Sequence, residues 1–182
     1  MSISYRVIRS KRKTLSLEIK PDGSLLVRAP RRLSARIIEA FVLSRESWIR
    51  EKLQKYENRP LLPRLTEEEL EELKKNAKAD LTARVARHAP SVGVTFGRIT
   101  VRAQKTRWGS CSREGNLNFN CLLMLAPEEI RNYVVIHELC HRKEMNHSPR
   151  FWAEVAKVCP GYAAHRRWLK DNGSALLSRL PE

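Results

Sequence analysis

The string His137-Glu138-Leu139-Cys140-His141, followed by His147, constrains this chain more than any other feature. Two histidines four residues apart lie on one face of an α-helix, one turn above the other. If the segment is helical, they can aim two imidazoles at a single metal ion. Glu138 is rotated about 100° from His137. It is too close to the pair to be idle and poorly placed to be a third ligand from the same helix. The position suits a carboxylate that holds a metal-bound water and takes its proton. A zinc centre that does chemistry needs a third protein ligand and an open fourth position. His147 supplies that ligand, six residues after His141, the spacing of the extended motif of this kind. The glycine of that motif is replaced by Glu144. The turn that returns His147 to the metal is therefore expected to use Asn146 in the left-handed conformation, which asparagine tolerates. A purely structural zinc site would need a fourth protein ligand and has no use for Glu138. His88 and His165 read as ordinary surface or capping residues.

Hydrophobic spacing sets the frame around the motif. From Ser4 to Pro30 the chain alternates, with a turn at Pro21-Asp22-Gly23, and reads as a small antiparallel meander. Ser34 caps a helix expected to run to Tyr56, with Ile37, Ile38, Phe41, Val42, Trp48, Ile49 and Leu53 on its apolar face. Asn58 to Pro63 is a connection. Thr66 and Glu69 form a capping box for a helix reaching His88, and Pro90 and Gly93 then break the chain. A strand is expected over 94–103, a polar loop over 104–116 and a short strand over 116–120. Pro127 opens the motif helix, which is expected to end at 144–147. Ser148-Pro149 opens another, and a last helix runs to Asp171 with Gly173 just past its end. The division expected is residues 1–57, a β-meander plus helix, and residues 58–182, the unit carrying the motif.

Composition narrows the setting. The chain has 182 residues and a net charge of +15. Such a charge favours anionic partners, nucleic acid or nucleotides among them. No apolar run is long enough to cross a membrane, and the N-terminus has no apolar core of a signal peptide. A cytoplasmic protein is expected. Cys111, Cys121, Cys140 and Cys159 form no C-x-x-C pair, so reduced thiols are expected.

Arg107-Trp108-Gly109-Ser110-Cys111-Ser112, Leu117 to Leu122, Tyr133 to His141, and Asn146-His147-Ser148 through Phe151-Trp152 carry a further signal. With Lys13-Thr14-Leu15-Ser16-Leu17 and Trp48-Ile49, they resemble the YgjP-like metal-dependent hydrolases, relatives of the SprT-like and other gluzincin-type zinc peptidases. The resemblance covers nearly the whole chain. It implies one Zn²⁺ per chain on His137, His141 and His147, with Glu138 as general base. It also implies an α+β fold with a zincin-like catalytic unit. The peptidase-like name leaves the substrate open. A nucleoside triphosphate is the alternative, hydrolysed at the same site, and a DNA-associated protease module is another.

Candidate substrate contacts lie in the block before the motif. In zinc peptidases an exposed strand beside the metal helix pairs with the substrate backbone. Asn116 to Asn120 resembles that strand, with Asn118 and Asn120 as candidate contacts, or else it is an ordinary edge strand. Trp108 either floors a pocket or packs in the core. Arg107 either steadies an oxyanion or phosphate or is a solvated surface residue. Ser110 lies beside them and is not expected to be a nucleophile. Phe151 and Trp152 are expected to pin the helix after His147. The oligomeric state is not legible.

Overall fold

The structure, a computed structural model, describes residues 4–20, 23–57 and 62–181. The chain divides into two compact units, Met1–Leu61 and Leu62–Glu182. Pro21, Asp22 and residues 58–61 of the expected connection lie outside the described residues.

In the first unit, the strand with most apolar side chains takes the centre. β1 (Arg6–Ser10), β2 (Ser16–Ile19) and β3 (Leu25–Pro30) form a sheet in the order β1-β3-β2. β2 and β3 are an antiparallel hairpin, and Gly23 closes it at φ +80°, a conformation that favours glycine. The antiparallel meander is corrected at β1, which runs parallel to β3. The reason lies in burial. β3 hides Leu25, Leu26, Val27 and Ala29, whereas every residue of β1 is exposed, so β3 gains most from pairing on both edges. Arg9 fixes the parallel register by donating from Nη1 to the carbonyls of Arg31 (3.1 Å) and Leu33 (2.6 Å). The expected single helix is two, α1 (Ala35–Leu43) and α2 (Glu46–Glu57). Ser44 interrupts it by donating its hydroxyl back to the Phe41 carbonyl at 2.8 Å. Ile38, Val42 and Ile49 pack on Leu25, Val27 and Ala29, whereas Ile37 and Trp48, expected on the same face, are exposed, because the break at Ser44 ends the single helical periodicity.

The second unit is built on α3 (Glu67–Val92). The capping box at Thr66 and Glu69 forms as expected. The helix outlasts His88 by a turn, because Pro90 forfeits only its own amide bond and Gly93, at φ +74°, closes the end. A second sheet follows, with β4 (Ile99–Arg102), β5 (Gly109–Cys111) and β6 (Leu117–Asn120) in the order β4-β6-β5. β5 lies inside the expected loop. Three residues of small, polar character carry no alternation by which to find it. A short 3-10 turn, Cys121–Leu125, leads to α4 (Glu128–Cys140), α5 (Pro149–Val158) and α6 (Tyr162–Leu177).

Two devices position α4. Apolar contact is one: Tyr133, Val134, Ile136, Leu139 and Cys140 share a core with Leu81, Val85, Phe119, Leu122 and Phe151. The other is a nearly buried guanidinium. Arg84 on α3 donates to Asp80 (2.7 Å), to Glu128 (2.9 Å) and to Asn132 (2.6 Å), binding α3 to the first turns of α4. His88 joins this network through Asn132 at 3.2 Å. None of the described helices is long and apolar enough to cross a membrane.

Gly173, expected just beyond the last helix, lies inside α6. A Cβ there would sit 3.1 Å from Cζ2 of Trp108, so the glycine makes room for the indole. Gly173→Leu is expected to displace Trp108 and cost about 1–3 kcal/mol by overpacking. Urea unfolding with tryptophan emission reads both effects.

Candidate metal centre

The three motif histidines converge. One ligand atom from each of His137, His141 and His147 lies within 4.8 Å of the others. The rings are 4.8–5.0 Å apart, centroid to centroid. Three local structures bring this about. His137 is on the last turn of α4. His141 is that helix's C-cap, one residue past its end. His147 immediately precedes Ser148, the N-cap of α5, whose hydroxyl accepts from the Phe151 amide. The expected left-handed Asn146 is corrected: among the described residues no non-glycine residue has positive φ. The turn is made by Lys143 and Glu144 donating to the Cys140 carbonyl (3.0 and 3.1 Å), and by Asn146 accepting the Ser148 amide on its side-chain oxygen (3.1 Å). An asparagine side chain can organise a turn without any strained backbone.

Burial prepares the imidazoles for a cation. Desolvation, reinforced by the two neighbouring histidines, holds the His137 pKa down to about 3, and His141 is also lowered, chiefly by desolvation. His137 is thus neutral at ordinary pH, with a lone pair available, and burial shifts His141 in the same direction. His141 Nδ1 lies 3.0 Å from the Glu144 carbonyl. That contact makes Nδ1 the protonated nitrogen and leaves Nε2 as the donor atom to the centre. His137 Nε2 faces His147 Nε2 at 2.9 Å, an arrangement a shared cation relieves. The donor set, three imidazoles around an open side, fits zinc.

An aromatic floor holds the rings. Phe151, fully buried, lies 4.8 Å from His137, 4.5 Å from His141 in a stacked arrangement and 4.8 Å from His147. Trp152 stacks on His147 at 5.6 Å. These residues therefore support the ligands themselves as well as the helix that follows.

Glu138 is 5% exposed, and burial alone raises its pKa to about 8. Among the described residues none donates a hydrogen bond to its carboxyl. Its side chain packs against β5, where a Cβ on Gly109 would come within 2.6–2.8 Å of the carboxyl group. The absent side chain at Gly109 is what lets β5 approach.

The candidate substrate contacts fare differently. β6 is the middle strand of its sheet, paired with β4 on one side and β5 on the other. It cannot receive a substrate strand, which corrects the expectation for Asn116 to Asn120. Asn120 is fully buried and its amide is spent within the protein, donating to the carbonyls of Gln104 (2.7 Å) and Arg107 (2.8 Å) and accepting from the Leu122 amide (3.1 Å). It shapes the loop before β5. Asn118 is half-buried opposite Ser110 of β5. Trp108 is half-buried, packing against the core and Gly173. Arg107 is exposed. Cys140 is core, its thiol pushed up to about 11 by burial. Glu154 is gripped by Lys143 (2.7 Å) and Lys157. Of the basic clusters, Arg166 reaches the centre's surroundings, at 4.8 Å over the Trp152 ring. Arg98 and Arg102 line a cleft with Lys74 and Lys78. The sequence reading missed three participants. Gly109 and Gly173 signal only by lacking a side chain, and Arg166 was one basic residue among many.

Three imidazoles and an adjoining buried carboxyl on an α+β frame define a class, that of metallohydrolases. The chain belongs to the family described as YgjP-like, metallopeptidase domain, which it matches over residues 13–73 and 63–172. No curated protein matches it. Among solved structures, the metallopeptidase zymogen abylysin of Pyrococcus abyssi is 26% identical, over 50% of this chain and 92% of its own, with a TM-score of 0.45. The jannalysin zymogen of Methanocaldococcus jannaschii is 22% identical, over 48% of this chain and 93% of its own, with a TM-score of 0.40.

The raised Glu138 pKa has a consequence for the metal-free protein. A carboxyl raised from 4.5 to about 8 on folding stabilises fully below pH 4.5 and loses that contribution as pH rises through about 8. His137, lowered from 6.5 to about 3, works in the opposite sense and is flat above pH 6.5. Between pH 6.5 and 8 the metal-free protein should lose about 1 kcal/mol per pH unit. Glu138→Gln should flatten that slope, as read by urea midpoints across the interval.

Proposed function

We propose that this chain is a zinc-dependent peptidase, with His137, His141 and His147 as metal ligands and Glu138 as general base. The observation that carries the reading is Glu138: a buried carboxyl without a hydrogen-bond partner among the described residues, packed on Gly109 and next in sequence to three converging imidazoles. Such a group is costly to bury and is expected where chemistry uses it. Zinc, when bound, supplies Lewis acidity and brings the pKa of water toward about 7. Glu138 accepts the proton of the attacking water and returns it to the leaving amine. A carboxyl whose free pKa is already near neutrality is suited to both transfers. Phe151 and Trp152 keep the three ligands from turning away.

Peptide is favoured over nucleotide by the sheet. β5 is an edge strand, and its Gly109 touches Glu138. An extended peptide added to that edge would run past the carboxyl, its backbone held by main-chain hydrogen bonds. A triphosphate would instead call for several cations around the centre. The nearby basic side chains are largely engaged: Arg142 donates to the carbonyls of Thr95 (3.2 Å) and Arg113 (2.6 Å), and Lys143 pairs with Glu154.

A paired assay of zinc-loaded protein on casein or mixed peptides and on the four nucleoside triphosphates tests the reading. Peptide cleavage should vanish with a chelator and return with zinc, and Glu138→Gln should lower it at least about a thousandfold while metal content is unchanged. Nucleotide hydrolysis without peptide cleavage would overturn the peptidase reading. Gly109→Ala forces the Glu138 carboxyl to move. It should reduce turnover about tenfold or more and leave the zinc stoichiometry at one per chain.

A further inference from the structure

Arg166 is the charged side chain of α6 that meets the aromatic wall of the centre. Its guanidinium carbon lies 4.8 Å over the Trp152 ring. That ring stacks on His147 on the way to the metal site and on Tyr162 at 5.2 Å. The residue is exposed and, among the described residues, forms no ion pair. Its charge adds to the burial that lowers His137 and partly offsets the burial that raises Tyr133. The contact has a chemical consequence. A guanidinium held over an indole face meets no hydrogen-bond acceptor there, so its N–H donors stay available. The contact also restricts the side chain, so less freedom is lost when a ligand is bound.

Resting on the peptidase reading, we propose that Arg166 is a specificity residue that receives a carboxylate of the peptide substrate close to the scissile bond. A planar fork of donors matches a carboxylate in two parallel hydrogen bonds. One unpaired guanidinium also complements one negative charge. A polyphosphate would require partners that Arg142 and Lys143, already committed, do not offer. The carboxylate comes either from an acidic side chain or from the free C-terminus of a short peptide, and both present the same group to Arg166.

The test measures binding, so that it stands apart from turnover. Fluorescein-labelled peptides are titrated by anisotropy into zinc-loaded Glu138→Gln protein, alone and combined with Arg166→Ala, Arg166→Glu or Arg167→Ala. The peptides are a neutral amide, the same amide with one aspartate or glutamate, the neutral free acid, and a lysine-containing amide. Circular dichroism and zinc content confirm that each variant is folded and loaded. Carboxylate-bearing peptides should bind at least about tenfold tighter than the neutral amide. Arg166→Ala should bring that ratio to near one, Arg166→Glu should turn it toward the lysine peptide, and Arg167→Ala, an equal loss of charge one residue away, should preserve it. Whether the acidic side chain or the free C-terminus carries the preference identifies the source. No carboxylate preference in the parent, an equal fall in Arg167→Ala, or tighter binding of a nucleoside triphosphate competitor than of any carboxylate peptide overturns the proposal. Peptide cleavage by the wild type alongside such a result would leave the peptidase reading standing. Arg166-dependent binding without cleavage of any peptide by the wild type would instead remove the peptidase reading.

Discussion

Everything around the centre depends on holding three imidazoles together where water would otherwise separate them. Phe151 meets that constraint. Its ring lies within 4.8 Å of all three histidines, and it is fully buried in the same core as Leu139 and Cys140. The position of that ring is set by α5, whose first turn is fixed by Ser148, and Ser148 is itself held by Asn146. So the short segment after the motif helix has two tasks. It delivers His147, and it anchors the aromatic surface on which the other two imidazoles rest. The low pKa of His137 follows from the same packing.

A second dependence runs through two missing side chains. Trp108 and Gly109 are neighbours in sequence but serve opposite helices: the indole fills the space left by Gly173 on α6, and the glycine admits the Glu138 side chain of α4. β5 is thereby set between the helix that carries Glu138 and the helix that carries Arg166. Asn120, whose buried amide gathers the carbonyls of Gln104 and Arg107, shapes the approach to it.

The convergence of His137, His141 and His147 was legible because metal sites impose spacing, and these three residues have it. His137, His141 and His147 must recur at intervals a helix and a turn can satisfy, and chance seldom supplies them. The helices were legible where caps punctuate apolar periodicity, as at Thr66 and Ser148. The errors fall where tertiary contact decides. The alternation in β1 gives a strand without naming its partner, and its parallel pairing depends on Arg9 reaching carbonyls more than twenty residues away. β6 was read as an edge because polar residues alternate along it, yet Asn120 is polar for internal bonding. Gly173 was read as a terminator because glycine usually ends helices, while here a tryptophan from another segment explains it.

His141 stands just past the last turn of α4, with its ring tied by Nδ1 to the Glu144 carbonyl. Backbone amides at a helix end open and close more readily than those within it. A cation gripping His137 from the last turn and His141 from the cap would clamp that end along its axis. Metal occupancy would then be written into the amide protection of Cys140 to Glu144. Deuterium uptake along this pentapeptide would act as a local gauge of loading, legible even in a protein that has not yet met its substrate.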